Sequence, residues 1–420
     1  MTRFALRFLF GLSCLFLPAG AWAGTNGVIS IASWNLLNWP SAGSGSAATD
    51  SATRCPYYRT VISSLKPSIL VTEENQSTSS VPWFLSAVMN ANGAYYRQGV
   101  YIQGPDSNNG IFYLDSLFKF VSNRPIETTL RDISEFTMIY KPTGDTFRIY
   151  AVHLKASTGS ANEAQRAQEV DSLRKVTNAL PAGSDFIVCG DFNVYGDYEA
   201  CYQGLIRNDS WNDGEFVDPF QLSGIWNNAA YRFYHTQSTR TTQFGGGSYG
   251  GLDDRFDMIL CSNGVMQSGG MYYVPGSCHA FGNDGSHYQL AINSGTNNAV
   301  GSAVADALHF SSDHLPVVAE FEFGTNSSVG ELAGVTGLVV YPNPAKKHIV
   351  ISFAAPEPGV FQIQLLDSRG GLVYDFPAVR YGSGDFSRML MLPEELKAGN
   401  YVLSMQSGKS LISRQLIISN

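Results

Sequence analysis

The chain has 420 residues, of which 44% are hydrophobic and 15% are charged. This length exceeds one average domain, and the composition is that of a globular protein and excludes a disordered one. The formal net charge of −8 at pH 7 excludes a generic surface for polyanions. A phosphorylated substrate would therefore have to be held by a metal ion and by local basic groups.

The first 23 residues have the order of a signal peptide. Arg3 and Arg7 precede an apolar run over residues 9–18, and Ala21-Trp22-Ala23 supplies a small-residue cleavage site. The run is shorter than the roughly 20 apolar residues that a membrane span needs. The sequence therefore predicts export, a mature chain that begins near Gly24, and no transmembrane segment after cleavage.

From residue 24 to residue 323, short apolar runs alternate with clusters of Gly, Ser, Asn and Asp. Residues 28–34 are typical of a strand, and residues 186–189 are typical of a strand covered on both faces. Residues 162–180 are polar with spaced apolar positions and stop at Pro181, which predicts an amphipathic helix. Strands that alternate with helices favour an α/β sandwich.

A change of composition divides the chain after residue 323. Residues 324–337 are mostly small and polar, as in a linker. Over residues 338–420 strand-like runs recur at short intervals, which predicts a small C-terminal β-sandwich of six or seven strands. The runs cover residues 348–353, 360–366, 372–375, 389–392, 401–405 and 411–418.

Five cysteines remain after the predicted cleavage site, and an odd number leaves at least one thiol without an intramolecular partner. Cys189 and Cys261 lie in apolar runs and are predicted to be buried thiols. Cys55, Cys201 and Cys278 lie in loop-like sequence and are the predicted disulfide candidates, with their pairing open.

Five segments place carboxylate, amide or imidazole groups at the end of an apolar run, where α/β proteins usually build sites. Taken singly each is weak, because a lone Asn after a strand is usually a turn former. Asp191 and Asn193 are stronger, since alternation along an extended backbone would point both side chains the same way, towards a hard cation or a water. The polar groups are Asn35, Glu73 with Glu74, His153, Asp191 with Asn193, and Asp313 with His314 preceded by Asp257.

In this order the segments resemble the endonuclease/exonuclease/phosphatase superfamily, which includes DNase I, exonuclease III and bacterial sphingomyelinases. The pattern of that family runs from a strand ending in Asn through Gln-Glu, His, Gly-Asp-x-Asn and Arg-x-Asp to Ser-Asp-His. The resemblance covers residues 28–323 and implies an α/β fold, a four-layer α/β sandwich of two packed mixed β-sheets flanked by helices. The matching residues are Asn35, Glu74, His153, Asp191, Asn193, Asp257, Asp313 and His314.

The resemblance also implies roles for these side chains in phosphodiester hydrolysis. Glu74, Asn35 and Asp313 would hold Mg²⁺ or Mn²⁺, with Ca²⁺ as a further alternative. The implied catalytic residues are His314, Asp257, Asp191, Asn193 and His153.

Each implied catalytic role follows from the chemistry of the side chain. His314, oriented by Asp257, would accept the proton of the attacking water. Asp191 and Asn193 would position that water. His153 would donate a hydrogen bond to a phosphate oxygen or protonate the leaving group.

The sequence departs from the family pattern at three places. Glu73 stands where the family has Gln, and counting back to Pro67 favours Glu74 as the residue that faces the site. Both Asp254 and Asp257 flank Arg255, and the strand that follows favours Asp257. No acidic partner for His153 is visible, because Asn108 and Asn109 stand near its expected place.

The C-terminal segment resembles a type A sorting domain of the type IX secretion system. The resemblance rests on residues 340–344, 366–370 and 398–401 and on the final apolar strand. It implies that the secretion machinery is a partner and that the protein is secreted or attached to the cell surface. A generic immunoglobulin-like adhesion or carbohydrate-binding module is the alternative.

The leading functional hypothesis is an extracellular nuclease, a monomer that acts on DNA in preference to RNA. Lys155 and Arg166 are the predicted substrate contacts, although a solvated face and a helix-packing stem explain them equally well. The second hypothesis is a phospholipid phosphodiesterase of the sphingomyelinase type, for which residues 270–275 could form the exposed apolar hairpin that enters a lipid interface, although they fit a core strand equally well. The third is a non-catalytic surface binding protein on the same fold.

Overall fold

The structure is a computed structural model that describes residues 27–43, 49–209, 212–266, 270–323, 336–355, 358–367, 371–393, 395–407 and 410–418. The predicted signal peptide lies outside these ranges, as do all but the last two residues of the predicted linker. None of the helices in these ranges is long and apolar enough to cross a membrane.

The part of the chain before residue 324 contains six α-helices and thirteen strands within the described ranges. The helices are α1 Ser51–Leu65, α2 Ser80–Phe84, α3 Ser160–Thr177, α4 Ala200–Ile206, α5 Asn263–Met266 and α6 Ser302–Ser311. The strands are β1 Ile29–Trp39, β2 Ile69–Asn75, β3 Tyr96–Gln98, β4 Asn108–Leu114, β5 Phe118–Ile126, β6 Ile133–Tyr140, β7 Thr146–His153, β8 Phe186–Asp191, β9 Phe216–Val217, β10 Asp257–Ser262, β11 Met271–Tyr273, β12 His279–Ala280 and β13 Val317–Phe323.

These strands form two sheets. The first sheet has the order β11-β13-β1-β2-β4-β3, with β12 paired to β13, and the second has the order β5-β6-β7-β8-β10-β9. Strand β1 runs parallel to β2, and β7 runs parallel to β8, whereas β13 is antiparallel to β1 and β10 is antiparallel to β8. Both sheets are therefore mixed, as the sequence predicted.

Apolar side chains from both sheets fill the space between them. Ile31 and Val71 of the first sheet belong to the same buried cluster as Ile149 and Ile187 of the second. The outer faces are covered by helices. Side chains of α1 and α6 pack on the first sheet, and side chains of α3 and α4 pack on the second. This arrangement confirms the predicted four-layer sandwich.

Helix α3 confirms the predicted amphipathic helix and shows how it is anchored. Val170 and Leu173 are buried in the cluster on the outer face of the second sheet. Near its end Arg174 donates hydrogen bonds to the carbonyl oxygens of Gly204 and Leu205 in the region of α4. The helix ends at Thr177, a few residues before Pro181, because proline cannot continue a helix.

The five described cysteines are all buried and free. The prediction of disulfide candidates is therefore wrong for Cys55, Cys201 and Cys278. Cys55 lies in helix α1 and Cys201 in helix α4, so their sequence is helical rather than loop-like. The prediction of buried thiols at Cys189 and Cys261 agrees with this result, since both belong to the core between the sheets.

The C-terminal part consists of antiparallel strands in two sheets. One sheet has three strands and the other has four. Ile349, Phe361, Leu403 and Leu416 from these sheets share one buried cluster. The predicted small β-domain is confirmed. Its strands are β14 Thr336–Tyr341, β15 His348–Ala355, β16 Gly359–Asp367, β17 Leu372–Tyr381, β18 Gly384–Met391, β19 Gly399–Ser407 and β20 Ser410–Ile418. The three-stranded sheet has the order β14-β15-β18, and the four-stranded sheet has the order β17-β16-β19-β20.

Candidate active site at one edge of the two sheets

Strands of both sheets end at a common edge, and the polar motifs meet there. The parallel pairs β1–β2 and β7–β8 end at this edge, where Asn35 is in register with Glu73, and His153 with Asp191. Strand β10 runs the opposite way and begins there, so Asp257 pairs with Asp191. Asn35 and Asp191, which are 156 positions apart in sequence, thus become neighbours because the strands that carry them end at one edge.

His314 and two aspartates form the most closely packed part of the site. Nδ1 of His314 lies 2.7 Å from Oδ2 of Asp257, and Nε2 lies 3.6 Å from Oδ2 of Asp191. All three side chains are almost completely buried. Asp254, the alternative to Asp257, instead accepts a hydrogen bond from Asn227. The structure therefore brings Asp257 to His314.

The charges around His314 decide its protonation. Burial lowers its pKa, but the carboxylates of Asp257, Asp191 and Asp313 outweigh burial and hold the pKa well above its ordinary value. In the absence of a compensating positive charge these carboxylates therefore favour the protonated ring. A cation near these carboxylates would act in the opposite direction and favour the neutral ring.

Three hydrogen bonds fix the loop that carries His314. The hydroxyl of Ser312 donates to the carbonyl oxygen of Asn35 at 2.6 Å and accepts from the backbone N–H of His314 at 3.2 Å. Trp34 donates its indole N–H to the carbonyl oxygen of His314 at 2.9 Å. The loop before β13 is therefore tied to the end of β1, which places His314 and Asn35 in the same site.

Asn35 connects two carboxylates. Its Nδ2 donates to Oε1 of Glu74 at 3.0 Å and to Oδ2 of Asp191 at 3.1 Å, while its Oδ1 accepts from the backbone N–H of Leu37. The other oxygen of Glu74 accepts from the backbone N–H of Asn38 at 2.6 Å. Leu37 and Asn38 have φ values of 48° and 51°, which turn the chain at the end of β1 towards Glu74.

Glu73 and Glu74 occupy different environments. Glu74 retains 17% of its side-chain exposure and lies within 3.9 Å of Nε2 of His153. Glu73 is completely buried, where it accepts a hydrogen bond from the hydroxyl of Ser33 at 2.7 Å. Burial raises the pKa of Glu73 well above its ordinary value. Of the two residues, Glu74 is therefore the one that faces solvent at the site.

His153 lies against the same carboxylates from the second sheet. Its Nε2 is 3.6 Å from Oδ2 of Asp191. Its Nδ1 is buried and has no partner among the described residues, and Asn109 donates instead to backbone carbonyls. Burial and the charge of Arg131 hold the pKa of His153 well below its ordinary value. His153 is therefore a neutral imidazole that is suited to donate a hydrogen bond.

Asp191 and Asn193 are brought together by a turn rather than by strand alternation. Asn193 has a φ of 52°, which is outside the extended region. Oδ1 of Asp191 accepts from the backbone N–H of Asn193 at 3.0 Å, and Nδ2 of Asn193 donates to the carbonyl oxygen of Leu154. The prediction that strand alternation aligns Asp191 and Asn193 is therefore wrong, although both side chains still lie beside the site.

Asp313 is covered by a glycine-rich loop that no sequence motif connects with the site. The backbone N–H of Ser248 donates to Oδ2 of Asp313 at 2.7 Å. A Cβ atom added to Gly247 would lie 2.9 Å from Cγ of Asp313 and 2.8 Å from Leu37. A side chain at this position would have to push Asp313 or Leu37 aside. The run of three glycines before Ser248 was the available signal.

The two predicted substrate contacts differ. Lys155 is half-buried, and its Nζ donates to the carbonyl oxygen of Ala156 at 2.9 Å. Arg166 is fully buried, pairs with Glu199, and donates to the carbonyl oxygens of Lys155 and Ser157. The predicted substrate contact of Arg166 is therefore wrong, because the side chain has no exposed surface. Its structural role is to hold the loop that carries Lys155.

Two further residues contact the site without any motif to mark them. The side-chain nitrogen of Gln237 lies 2.5 Å from Nε2 of His314. Arg54, from helix α1, donates to the carbonyl oxygens of Leu36, Leu37 and Ser311 and so joins the loops after Asn35 and before Asp313. Neither residue lies within one of the motifs, so the sequence alone did not reveal them.

The carboxylates of the site fit a divalent cation with oxygen ligands. Burial and the charge of Asp313 raise the pKa of Glu74, and burial with the charges of Asp257 and Glu74 raises the pKa of Asp191. Oδ1 of Asp257 is buried without a partner. Several buried carboxylates that meet at one edge of the sheets favour a bound cation. Within the described ranges, no three His, Cys, Asp or Glu side chains form a preassembled cluster of ligands.

Comparison with known proteins agrees with this site. The model of the endonuclease/exonuclease/phosphatase family matches residues 57–314, which is more than half of the chain and includes Glu74, Asp191 and His314. The model of the secretion system C-terminal sorting domain matches residues 339–419. Among curated proteins the chain has no significant match.

Solved structures with a similar fold have low sequence identity to this chain. The catalytic domain of human Nocturnin with bound sulfate is 20% identical, with 71% of this chain and 95% of that chain covered and a TM-score of 0.44. The D. rerio TDP2 structure, a complex with a single-strand DNA product, is 14% identical, with 71% and 100% covered and a TM-score of 0.47. A mannosyl-6-phosphatase from Bacteroides thetaiotaomicron is 19% identical, with 70% and 100% covered and a TM-score of 0.42.

The two family models divide the chain between them, and their assignments agree with the two parts of the fold. The C-terminal match identifies a type IX sorting domain, which indicates secretion and attachment to the cell surface. The match over residues 57–314 spans the strand ends that carry most of the site. The chain belongs to the endonuclease/exonuclease/phosphatase family of hydrolases.

Proposed function

We propose that this protein is a secreted, metal-dependent phosphodiesterase that acts as an extracellular nuclease. The observation that carries the proposal is the contact of His314 with Asp257 at 2.7 Å, beside the buried carboxylate of Asp191. A histidine with one nitrogen fixed by a carboxylate and the other directed into a polar site is suited to accept a proton from water. Hydrolysis of a phosphodiester requires such a base.

The proposed reaction uses the side chains in separate roles. Asp257 holds the proton on Nδ1 of His314, so that Nε2 of the neutral ring accepts the proton of the attacking water. Asp191, 3.6 Å from Nε2, and Asn193 orient that water. The neutral imidazole of His153 donates a hydrogen bond to a nonbridging phosphate oxygen, since its lowered pKa makes it a poor proton source.

A divalent cation fits beside the carboxylates of this site. Glu74, Asn35 and Asp313 are the residues that would hold it, and Mg²⁺ is preferred because it binds through few carboxylates and keeps several waters. When bound, such a cation neutralises the charge of the phosphate and of the departing alkoxide. Asn35 would contribute mainly by holding Glu74 and Asp191 in place, since its Nδ2 faces both of them.

One assay panel tests the proposal. The purified mature protein with Mg²⁺ is incubated with plasmid DNA, linear DNA, RNA and sphingomyelin, and cleavage of DNA is expected to be fastest. His314→Ala and Asp191→Ala should each lower turnover by about 10² to 10⁴. His279→Ala is the control, because His279 is exposed and bonds only to the carbonyl oxygen of Ser277. Near-normal activity of the first two variants would place the reaction elsewhere.

Residues 270–275, the candidate hairpin for insertion into lipid, do not support the phospholipid phosphodiesterase hypothesis. Met271–Tyr273 forms strand β11, and Met271 and Tyr273 are buried in the core between the sheets. An apolar hairpin available to a lipid surface would require these side chains to be exposed. The nuclease proposal is therefore kept, and lipid hydrolysis becomes an outcome of the assay panel.

Salt dependence separates the two substrate classes. If Lys155 contacts a phosphate of DNA, Lys155→Ala should lower DNA cleavage and reduce the slope of log affinity against log salt by roughly 0.7 to 0.9. Lys175→Ala, an exposed lysine in the last turn of α3, is the matched control. Tyr272→Ser should have little effect on DNA cleavage. Faster hydrolysis of sphingomyelin than of DNA would overturn the nuclease proposal.

A further inference from the structure

Arg240 is a buried arginine whose guanidinium lacks the acceptors that its charge requires. The residue is only 2% exposed, and its Nε and Nη2 atoms have no hydrogen-bond partner in the described part of the chain. These two atoms form one edge of the guanidinium, which can donate two parallel hydrogen bonds to two oxygens of an anion.

Other buried arginines in the described ranges have acceptors. Arg166 directs Nε and Nη2 at Glu199, with distances of 2.8 and 2.7 Å. Arg255 donates two hydrogen bonds to Asp218 at 2.8 and 2.9 Å. The donor edge of Arg166 therefore faces the carboxylate of Glu199 and makes a hydrogen bond from Nε alone, whereas neither donor of the same edge is bonded at Arg240.

The charges around Arg240 do not compensate it. Asp313 is the nearby carboxylate, but the guanidinium of Arg54 opposes its effect on Arg240, and burial outweighs Asp313. Burial lowers the pKa of Arg240 to about 10, which leaves the guanidinium charged at neutral pH. Because an unpaired buried charge is costly, an arginine in this position favours a bound anion.

A short glycine-rich loop of the candidate active site packs over Arg240. The ring of Phe244 lies 4.1 Å from the guanidinium carbon and is itself partly exposed. Gly245 and Gly246 follow with φ values of 57° and 80°, and the next residues reach Asp313 through the backbone N–H of Ser248. An anion held by Arg240 would therefore lie next to Asp313.

We propose that Arg240 forms an anion subsite beside Asp313 that binds a phosphate group of the substrate through its Nε and Nη2 edge. The proposal rests on the proposed phosphodiesterase function and deepens it. Any cation that Asp313 helps to hold offsets part of the negative charge of Asp313, so the phosphate that arrives at the site supplies the missing counter-charge. Arg240 thus adds a phosphate contact that no motif of the sequence marks.

The test measures phosphate binding rather than hydrolysis. Inorganic phosphate is titrated into the full mature protein with Mg²⁺ present, by calorimetry and by the rise in melting temperature. Arg240→Met should weaken phosphate binding by about tenfold or more, since hydrogen bonds to charged groups are among the stronger ones. Arg232→Met is the control, because Arg232 is exposed and packs over Phe233.

If Arg240 had only a structural role, Arg240→Met would lower the melting temperature in the absence of phosphate. The anion subsite predicts a different result. Without phosphate, Arg240→Met should keep or raise the melting temperature, because an unpaired buried charge is replaced by an apolar side chain of similar length. Arg240→Lys keeps the charge but lacks the paired donors, so it should bind phosphate with intermediate affinity.

The outcomes separate this proposal from the proposed function. Equal phosphate affinity of the wild type and Arg240→Met, or no phosphate binding by the wild type, overturns the anion subsite. DNA cleavage by a protein with that result would leave the nuclease proposal standing. Conversely, phosphate binding that depends on Arg240 in a protein without hydrolytic activity would support the subsite and overturn the nuclease.

Discussion

Oδ2 of Asp257 accepts a hydrogen bond from Nδ1 of His314 at 2.7 Å, so the orientation of the proposed base depends on this single carboxylate. Asp257→Asn should lower turnover by about 10² to 10⁴, because an amide can donate to Nδ1 and favour the wrong tautomer. Steady-state kinetics would measure the loss. Asp254→Asn is the control, since Asp254 contacts Asn227 and not His314. Equal losses in both variants would contradict the assignment of Asp257.

Gln237 contacts the nitrogen of His314 that must meet the attacking water. This contact has to break before water reaches Nε2, whereas the bond of Asp257 to Nδ1 persists. Gln237→Ala should therefore keep turnover within about tenfold of the wild type, which corresponds to one ordinary hydrogen bond. Turnover and KM would be measured together. A loss as large as that of Asp257→Asn would mean that Gln237 is needed to position the ring.

Removal of divalent cations should abolish activity. Excess chelator is expected to stop hydrolysis, and Mg²⁺ or Mn²⁺ should restore it, because the side chains of the site are oxygen donors. Mg²⁺ should also raise the melting temperature of the wild type, since it relieves the repulsion between buried carboxylates. Glu74→Gln should lose this rise. Undiminished turnover in excess chelator would exclude a metal mechanism.

The buried ion pair of Arg255 and Asp218 should make a large contribution to stability. Arg255→Met leaves Asp218 buried without its counter-charge and should cost about 3 to 5 kcal/mol. Tryptophan fluorescence is a suitable probe, because the five tryptophans of the predicted mature chain all precede residue 227 and report on the catalytic part alone. Arg232→Met, at an exposed arginine, is the control and should change the melting temperature little.

The ion pair of Arg255 and Asp218 should also make the stability of the protein depend on pH. Burial raises the pKa of Asp218, but the charge and hydrogen bonds of Arg255 outweigh it, so the folded-state pKa is lowered. A depressed folded-state pKa stabilises the protein above the unfolded value of about 3.9, and this stability is lost as the pH falls through the folded-state pKa. In Arg255→Met the charge of Arg255 is lost, and burial of Asp218, opposed by the hydrogen bonds from Phe220 and Tyr202, favours protonation. The difference in melting temperature between wild type and variant should therefore shrink from pH 7 to pH 4, and a constant difference would contradict this account.

The C-terminal β-domain should be separable from catalysis. Deletion of the residues after Gly334 is expected to leave turnover of the recombinant protein unchanged, because the residues of the candidate site all precede residue 315. The same deletion should block secretion in a host with a type IX system. Activity and extracellular protein would be measured side by side. Loss of activity on deletion would show that the β-domain contributes to the site.

The sequence predicted the elements that local pattern controls. Strands β1 and β8 and helix α3 were visible from apolar runs, from spacing and from Pro181, because these signals act over a few neighbouring residues. The motifs at strand ends were also visible, and their order was sufficient to suggest the family. The sorting domain was recognised from its own motifs at residues 340–344, 366–370 and 398–401 and from its final apolar strand.

Contacts between distant segments were not visible. Arg166 lies on a helix next to a motif and was expected to face the substrate, yet Glu199 and the loop after His153 enclose it. The sequence cannot indicate which segment packs over a long charged side chain. Cys55 and Cys201 were misjudged for the same reason, because helix burial and not local polarity decided their environment.

The sequence by itself determined which chemical groups the protein brings to its site: the carboxylates, the amides and the two imidazoles at the ends of its strands. Only the tertiary structure decided how they are paired, that Asn35 joins Glu74 to Asp191, that Gln237 meets His314, and that Arg240 lies unpaired near Asp313. The physical reason is that strand ends are fixed by local hydrogen bonding and hydrophobic pattern. The partner of a buried polar side chain, in contrast, depends on which distant loop closes over it.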